Sequence, residues 1–251
     1  MKQIYFFGDS NTMGAGLEDV ESYTNVVSDL GWAPQLGRAF NVPFQNLSSG
    51  GLSVKYIAAQ IHRREFSSDD RVAILLPHHS AYCIISSDKK KTLHLQPDPN
   101  LDKGEESNIP RVGFQLYKEN SKSWMLDPDQ PRKVEIMDYY YENIYDEYDS
   151  LFTNSVFIKN IVEQVKYESG FNPVLFAHTE QEYTFYKGEG IDIVPITYYK
   201  YAYYPRTKCG HLGQLSQDIF TTNILPYVRL RVTEARDYYG GDKLVVPNSL
   251  I

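Results

Sequence analysis

Only two cysteines, Cys83 and Cys209, occur in 251 residues, so no disulfide framework is implied. No apolar run is long enough to span a bilayer; "VAILL" at 72–76 is typical of the longest. Basic residues are outnumbered 25 to 32, and the net charge of −7 opposes any general affinity for nucleic acid or anionic membrane, although a local basic pocket would survive it. The opening "MKQIYFF" has one early lysine but neither a long apolar core nor a small-residue cleavage site, so no secretory signal is read there. The expectation is a cytoplasmic protein with no nucleic-acid and no membrane partner. A virus-encoded or non-classically released chain would have the same features.

What is present suits a soluble globular protein: 42% hydrophobic and 23% charged residues, with length for one large α/β domain or two small ones. "KQIYFFG" reads as a buried strand ended by glycine, and "PFQNLSSGG" offers a second short strand at 44–47. Val54, Ile57, Ala58 and Ile61 then fall on one helical face. "RVAILLP" at 71–77 is apolar on consecutive positions, as in a strand covered on both sides. Ile158, Ile161, Val162 and Val165 repeat the helical spacing, followed by strands at 172–178 and 190–196. A last helix is expected over 211–228, with Leu212, Leu215 and Ile219 inward. Alternating strands and helices predict a parallel sheet with helices on both faces, where ligands gather at the carboxyl ends of strands. Ser10, Gly50-Gly51 and His78-His79 follow the first three strands, and His211 comes shortly after the fifth.

Residues 86–150 break this rhythm. They are polar and turn-rich, then acidic and dense in tyrosine ("DYYYENIYDEYDS" at 138–150). They read as an insertion after the third strand, containing a hairpin ("TLHLQ" and "VGFQLY") and then a helix. With no repeat and little apolar content, the insertion does not make a separate core, so residues 1–251 are taken as a single domain. Its tyrosines either pack against the body of the domain or line a carbohydrate or acyl-group site as a cap.

"FFGDSNTMG" places a serine on a strand-to-helix turn. There a nucleophile projects from a rigid edge beside backbone N–H groups, although Asp9, Ser10 and Thr12 also suit helix capping. The stretch resembles the first block of the SGNH (GDSL-type) hydrolase superfamily, whose nucleophile corresponds to Ser10. "NLSSGGLS" at 46–53 resembles the second block, with Gly51 at the glycine whose N–H enters the oxyanion hole, and "KCGHLGQLSQDIF" resembles the last, with His211 as the catalytic histidine. The resemblance runs from residue 4 to about 225, apart from the insertion. It implies a flavodoxin-like three-layer α/β/α sandwich around a central parallel sheet.

Two positions depart from the family pattern. The third block, usually Gly-x-Asn-Asp, is "PHHS", so His79 stands where an asparagine donates to the oxyanion. His78 is expected to point away from it, because neighbouring residues in an extended segment leave on opposite sides. A metal held by the two histidines is disfavoured by the lack of a nearby carboxylate in sequence. The last block, usually Asp-x-x-His, has Lys208 at the aspartate's place. A lysine cannot accept a hydrogen bond from imidazole. Either a Ser-His dyad is oriented by a carbonyl, or another acid such as Asp192 or Glu180 reaches in, or the site is degenerate. The resemblance implies hydrolysis of an acetyl or short acyl ester on a carbohydrate or small molecule, with no metal or organic cofactor. The alternatives are an O-acyltransferase on the same machinery and a non-catalytic binding module. A P-loop or G-x-G-x-x-G nucleotide site does not fit "GDSNTMGAG".

Overall fold

A computed structural model describes residues 3–20, 26–85, 91–97, 112–118, 139, 143–201, 206–207 and 211–234. Strands β1 (Ile4–Phe7), β2 (Phe44–Asn46) and β3 (Arg71–Leu75) alternate with helices α1 (Ser10–Met13), α2 (Trp32–Phe40) and α3 (Val54–His62). An antiparallel sheet follows, with β4 (Tyr82–Ile85), β5 (Lys91–Pro97) and β6 (Val112–Lys118). The chain then forms α4 (Glu147–Ser169), β7 (Val174–Phe176), α5 (Glu180–Gly188), a 3-10 turn (Tyr198–Tyr201) and α6 (Gln214–Glu234).

The central sheet is parallel throughout, in the order β2-β1-β3-β7, with Phe7 opposite Ile74 and Ile74 opposite Leu175. Alternation along each strand makes two cores. Tyr5, Phe7, Val72, Ile74 and Leu175 face α3 and α4, which bury Ile57, Ile61, Ile158, Ile161 and Val165 against them. Ile4, Phe6, Ala73, Leu75 and Phe176 face the opposite layer, formed by α2 and α6. Trp32 is the centre of that layer, edge-on to Phe6 (5.5 Å), Phe176 (5.7 Å) and Phe220 (5.7 Å). Both faces are covered by helices, as the unbroken apolar strands predict: a three-layer α/β/α sandwich.

Several expectations are corrected. Residues 190–196 form no strand. Val194 N–H donates to Leu175 O (2.9 Å) and Tyr198 N–H to Ala177 O (2.9 Å), so the segment runs beside β7. Pro195 lacks the N–H that a continuous ladder would use. Leu215 is 51% exposed, because α6 turns Ser216 and Gln217 inward with Phe220, Ile224 and Val228. Gln217 earns that place by accepting from Trp32 N–H (3.2 Å) and donating to the Tyr198 hydroxyl (2.6 Å). The predicted hairpin is present, with Leu93 opposite Leu116, but its sheet begins upstream of residue 86, at Tyr82. Most of 98–142, including much of the tyrosine-rich stretch, lies outside the described residues.

Candidate active site

β1 ends at Gly8, and the chain turns at once into α1. Asp9 caps that short helix, its carboxylate accepting from Asn11 N–H (2.9 Å). Ser10 is thereby the first helical residue, half-buried at the carboxyl edge of the sheet. Across the edge, the His211 ring nitrogen Nε2 lies 2.7 Å from Ser10 Oγ, joining residues 201 apart. His211 is held just before α6 by its carbonyl, which accepts from Thr207 N–H (2.8 Å), and by the bridge between Arg206 and Leu212. Serine and imidazole stand at the separation a nucleophile and its general base require.

Gly8 permits this turn. A Cβ there would lie 2.0 Å from Thr12 Oγ1 and 3.1 Å from Leu75 O. Gly8→Ala is expected to cost about 1–3 kcal/mol through this overlap. A thermal melt should show Tm lowered by several degrees, whereas an unchanged Tm would mean that the turn relaxes freely.

The β2–α3 loop joins the same edge: Leu47 N–H donates to Phe6 O (2.8 Å) and Ser49 N–H to Gly8 O (3.3 Å). Asn46 ties the loop to the serine turn, donating to Thr12 O (3.0 Å) and accepting from Ser48 N–H (3.1 Å). Gly51 is buried in the left-handed region, φ 66°, which a residue with a Cβ adopts only at a cost.

Beneath Ser10 lies a buried polar layer that sequence reading missed. Fully buried His178 donates from Nδ1 to Leu76 O (2.6 Å), while its Nε2 lies 3.2 Å from Asn11 Nδ2 and 3.4 Å from Asp9 Oδ2. Tyr199 hydrogen-bonds Asn11 and packs on the His178 ring at 5.1 Å; burial first, then the Asp9 and Glu182 charges, push its phenol well above the usual range. Glu182 is a second hub, 1% exposed. Its Oε1 accepts from His79 N–H (2.7 Å) and His79 Nδ1 (3.0 Å), and its Oε2 from His178 N–H (3.1 Å) and Thr179 N–H (3.0 Å). Thr179 and Glu182 form a capping box, which "TEQE" spells in the sequence; that signal was available.

This arrangement corrects the expectations for the two histidines. A turn, with Ala81 N–H donating to His78 O (2.9 Å), replaces the extended backbone that would separate them. Their rings lie 4.1 Å apart at 35°, on the same side. A carboxylate does stand near them: donor atoms of His78, His79 and Glu182 fall within 4.8 Å of one another. However, Glu182 already receives four N–H bonds, which fill its acceptor positions and disfavour metal ligation. His79 Nδ1 is engaged by Glu182, so in the neutral imidazole its single N–H is not available to an oxyanion.

The two acids considered as orienters of His211 are engaged elsewhere. Asp192 pairs with Arg231 (2.6 Å), seventeen residues beyond the start of α6 and so about 25 Å from the His211 end at 1.5 Å per residue. Glu180 accepts from the Thr197 hydroxyl (3.0 Å). Lys208 lies outside the described residues. A groove of about 700 Å³ is lined by Asp146, Glu147, Tyr148, Leu151, Glu180, Gln181, Thr184 and Phe185, and not by Ser10 or His211. Among the described residues, no helix is long and apolar enough to cross a membrane.

No family model and no curated protein matches the sequence. Among solved structures, the fold is similar to an acetyl xylan esterase from the rumen bacterium Butyrivibrio proteoclasticus (12% identity, TM-score 0.44, covering 95% of this chain and 65% of that one). It is also similar to a phospholipase A1 from Streptomyces albidoflavus (10% identity, TM-score 0.41, 92% and 99% covered). A family two carbohydrate esterase from Clostridium thermocellum, in complex with cellohexaose, is similar at 10% identity, TM-score 0.42, with 91% and 63% covered. The chain spans about two thirds of the length of these carbohydrate esterases.

Proposed function

We propose that the protein is a serine ester hydrolase of the SGNH type, removing acetyl or short acyl groups from a carbohydrate or other small molecule. The observation that carries this reading is the 2.7 Å approach of His211 Nε2 to Ser10 Oγ at the carboxyl edge of a parallel sheet. Ser10 Oγ attacks the acyl carbon while His211 Nε2 takes its proton. Collapse of the tetrahedral intermediate breaks the C–O bond, and His211 returns the proton to the departing alcohol. Water, deprotonated by His211, then releases the acid and restores Ser10. The oxyanion is met by the N–H groups of Ser10 and Gly51, whose loops are tied together through Asn46 and Thr12. This chemistry requires no metal and no organic cofactor.

Lys208, at the position of the family's aspartate, favours a second reading: a binding module that kept the fold without the turnover. One assay separates the two. A panel of p-nitrophenyl esters of increasing chain length is expected to be cleaved by the wild type, fastest for the shortest acyl groups. A fluorophosphonate probe is expected to label the wild type and spare Ser10→Ala. Equal labelling of both proteins would remove Ser10 from the mechanism, and no cleavage across the panel would favour the binding module.

A further inference from the structure

We propose that His78, rather than His79, supplies the side-chain N–H that meets the oxyanion; the proposal rests on the serine-hydrolase reading above. β3 lies beside β1 with Ile74 opposite Phe7, and a Cβ on Gly8 would lie 3.1 Å from Leu75 O. One residue on, His178 links Leu76 O to Asn11 and Asp9. The chain leaving β3 therefore runs along the turn that carries Ser10. The turn at 78–81 then sets both imidazoles on one side, stacked at 4.1 Å.

Hydrogen bonding gives the two rings opposite roles. His79 directs its Nδ1 proton to Glu182, which leaves a lone pair at Nε2 in the neutral ring. His78 Nδ1 receives the Ser80 N–H (3.3 Å) and lies 2.7 Å from the Ser80 hydroxyl, so the ring proton resides on Nε2. Among the described residues, no group takes that Nε2–H, and the side chain is half-buried rather than sealed. His78 is therefore a fixed neutral donor in a site where a negative charge is to form.

Burial, more than the surrounding charges, keeps His78 neutral. Burial lowers its pKa to about 4; Glu182 opposes this, His79 and His178 add to it, and Asp9 opposes it weakly. Below neutrality, down to that value, the ring still donates without carrying charge, so it does not compete with the imidazolium of His211. A neutral imidazole placed this way acts as an oriented dipole whose organisation precedes the reaction.

The test uses the full chain. Steady-state kinetics on p-nitrophenyl acetate are compared for wild type, His78→Ala and His78→Asn, with melting curves to establish that each is folded. His78→Ala is expected to lose about 10²–10³ in kcat with KM changed by less than about threefold. His78→Asn, which returns an amide N–H, is expected to recover at least about tenfold of that loss. A kcat for His78→Ala within about threefold of wild type, or no recovery in His78→Asn, would overturn the proposal. Long-range ¹⁵N–¹H correlation spectra at pH 7 supply a readout independent of turnover: the Nε2–H tautomer of His78 is expected, and the Nδ1–H tautomer overturns the assignment. A wild type with neither turnover nor a Ser10 adduct removes the hydrolase reading itself, and this proposal with it. An active wild type indifferent to His78 removes only the proposal.

Discussion

Replacing His211 with alanine is expected to lower ester turnover by about 10⁴–10⁶-fold, the scale seen when a serine nucleophile loses its base. A serine hydroxyl is a poor nucleophile until a base takes its proton, and His211 Nε2 is 2.7 Å from Ser10 Oγ. No gradual loss is expected, because in the proposed mechanism serine and histidine act as one unit: Ser10→Ala and the double variant should fall to about the same residual rate. A His211→Ala enzyme retaining more than about a tenth of wild-type kcat would displace His211 from the base role. Lys208 should behave differently. As a bystander, Lys208→Ala is expected to change kcat little. Lys208→Asp adds a carboxylate that favours the imidazolium, so the acidic limb of the pH–rate profile should move to higher pH. An inactive wild type that gains turnover on Lys208→Asp would identify the lysine as the mark of a lost activity.

The second large effect is on stability. Glu182→Ala is expected to destabilise the fold by about 3–5 kcal/mol, because it strands the buried N–H groups of His79 and His178 and the half-buried N–H of Thr179 at once. For a chain of this size that is roughly 10 °C in Tm, measurable in a thermal melt. Glu182→Gln should rescue little, since one face of its amide would present N–H groups to other N–H donors. The pH dependence follows from the same carboxylate. Burial alone would raise its pKa, but the His79 hydrogen bond, the His78 and His178 charges and the His79 N–H outweigh it and bring the value to about 2. A carboxyl depressed in the folded state contributes stability that is fully present above its unfolded pKa of about 4.3. That contribution is lost as pH falls from there through about 2. Wild type should therefore lose stability between about pH 5 and 2 more steeply than Glu182→Gln. Parallel acid profiles for the two proteins would show that Glu182 carries no such linkage.

Much of this architecture was legible from short stretches of sequence. The unbroken apolar runs at 4–7 and 72–76 announced strands covered on both faces, and both cores are built on their alternation. Val54, Ile57 and Ile61 marked the inner face of α3, and Ser53 caps it, its hydroxyl accepting from Tyr56 N–H (3.3 Å). The turn at Ser10 was legible because a strand running into Gly8-Asp9-Ser10 is a local pattern, whereas Gly51 was singled out by the resemblance of "NLSSGGLS" to a family block. His211 was singled out by the resemblance of "KCGHLGQLSQDIF", and only the fold shows that its ring lies 2.7 Å from Ser10 Oγ.

Other features depended on partners distant in the chain. The phase of α6 depends on Gln217 meeting Trp32 and Tyr198, 185 and 19 residues away, and apolar periodicity alone points to Leu215 instead. The strand expected at 190–196 is interrupted by a proline whose missing N–H matters only once β7 lies alongside. The different hydrogen-bond partners of His78 and His79 were hidden for the same reason. Two adjacent histidines are identical as sequence, and a ring acts as donor or acceptor according to what holds its other nitrogen. Ser80 is two residues from His78, but Glu182 is 103 residues from His79, and only folding brings that carboxylate to the turn. Periodicity and capping are encoded within a few residues because the backbone repeats over that distance. The partner of a buried polar atom, and the tautomer it selects, is set by whichever element packs beside it.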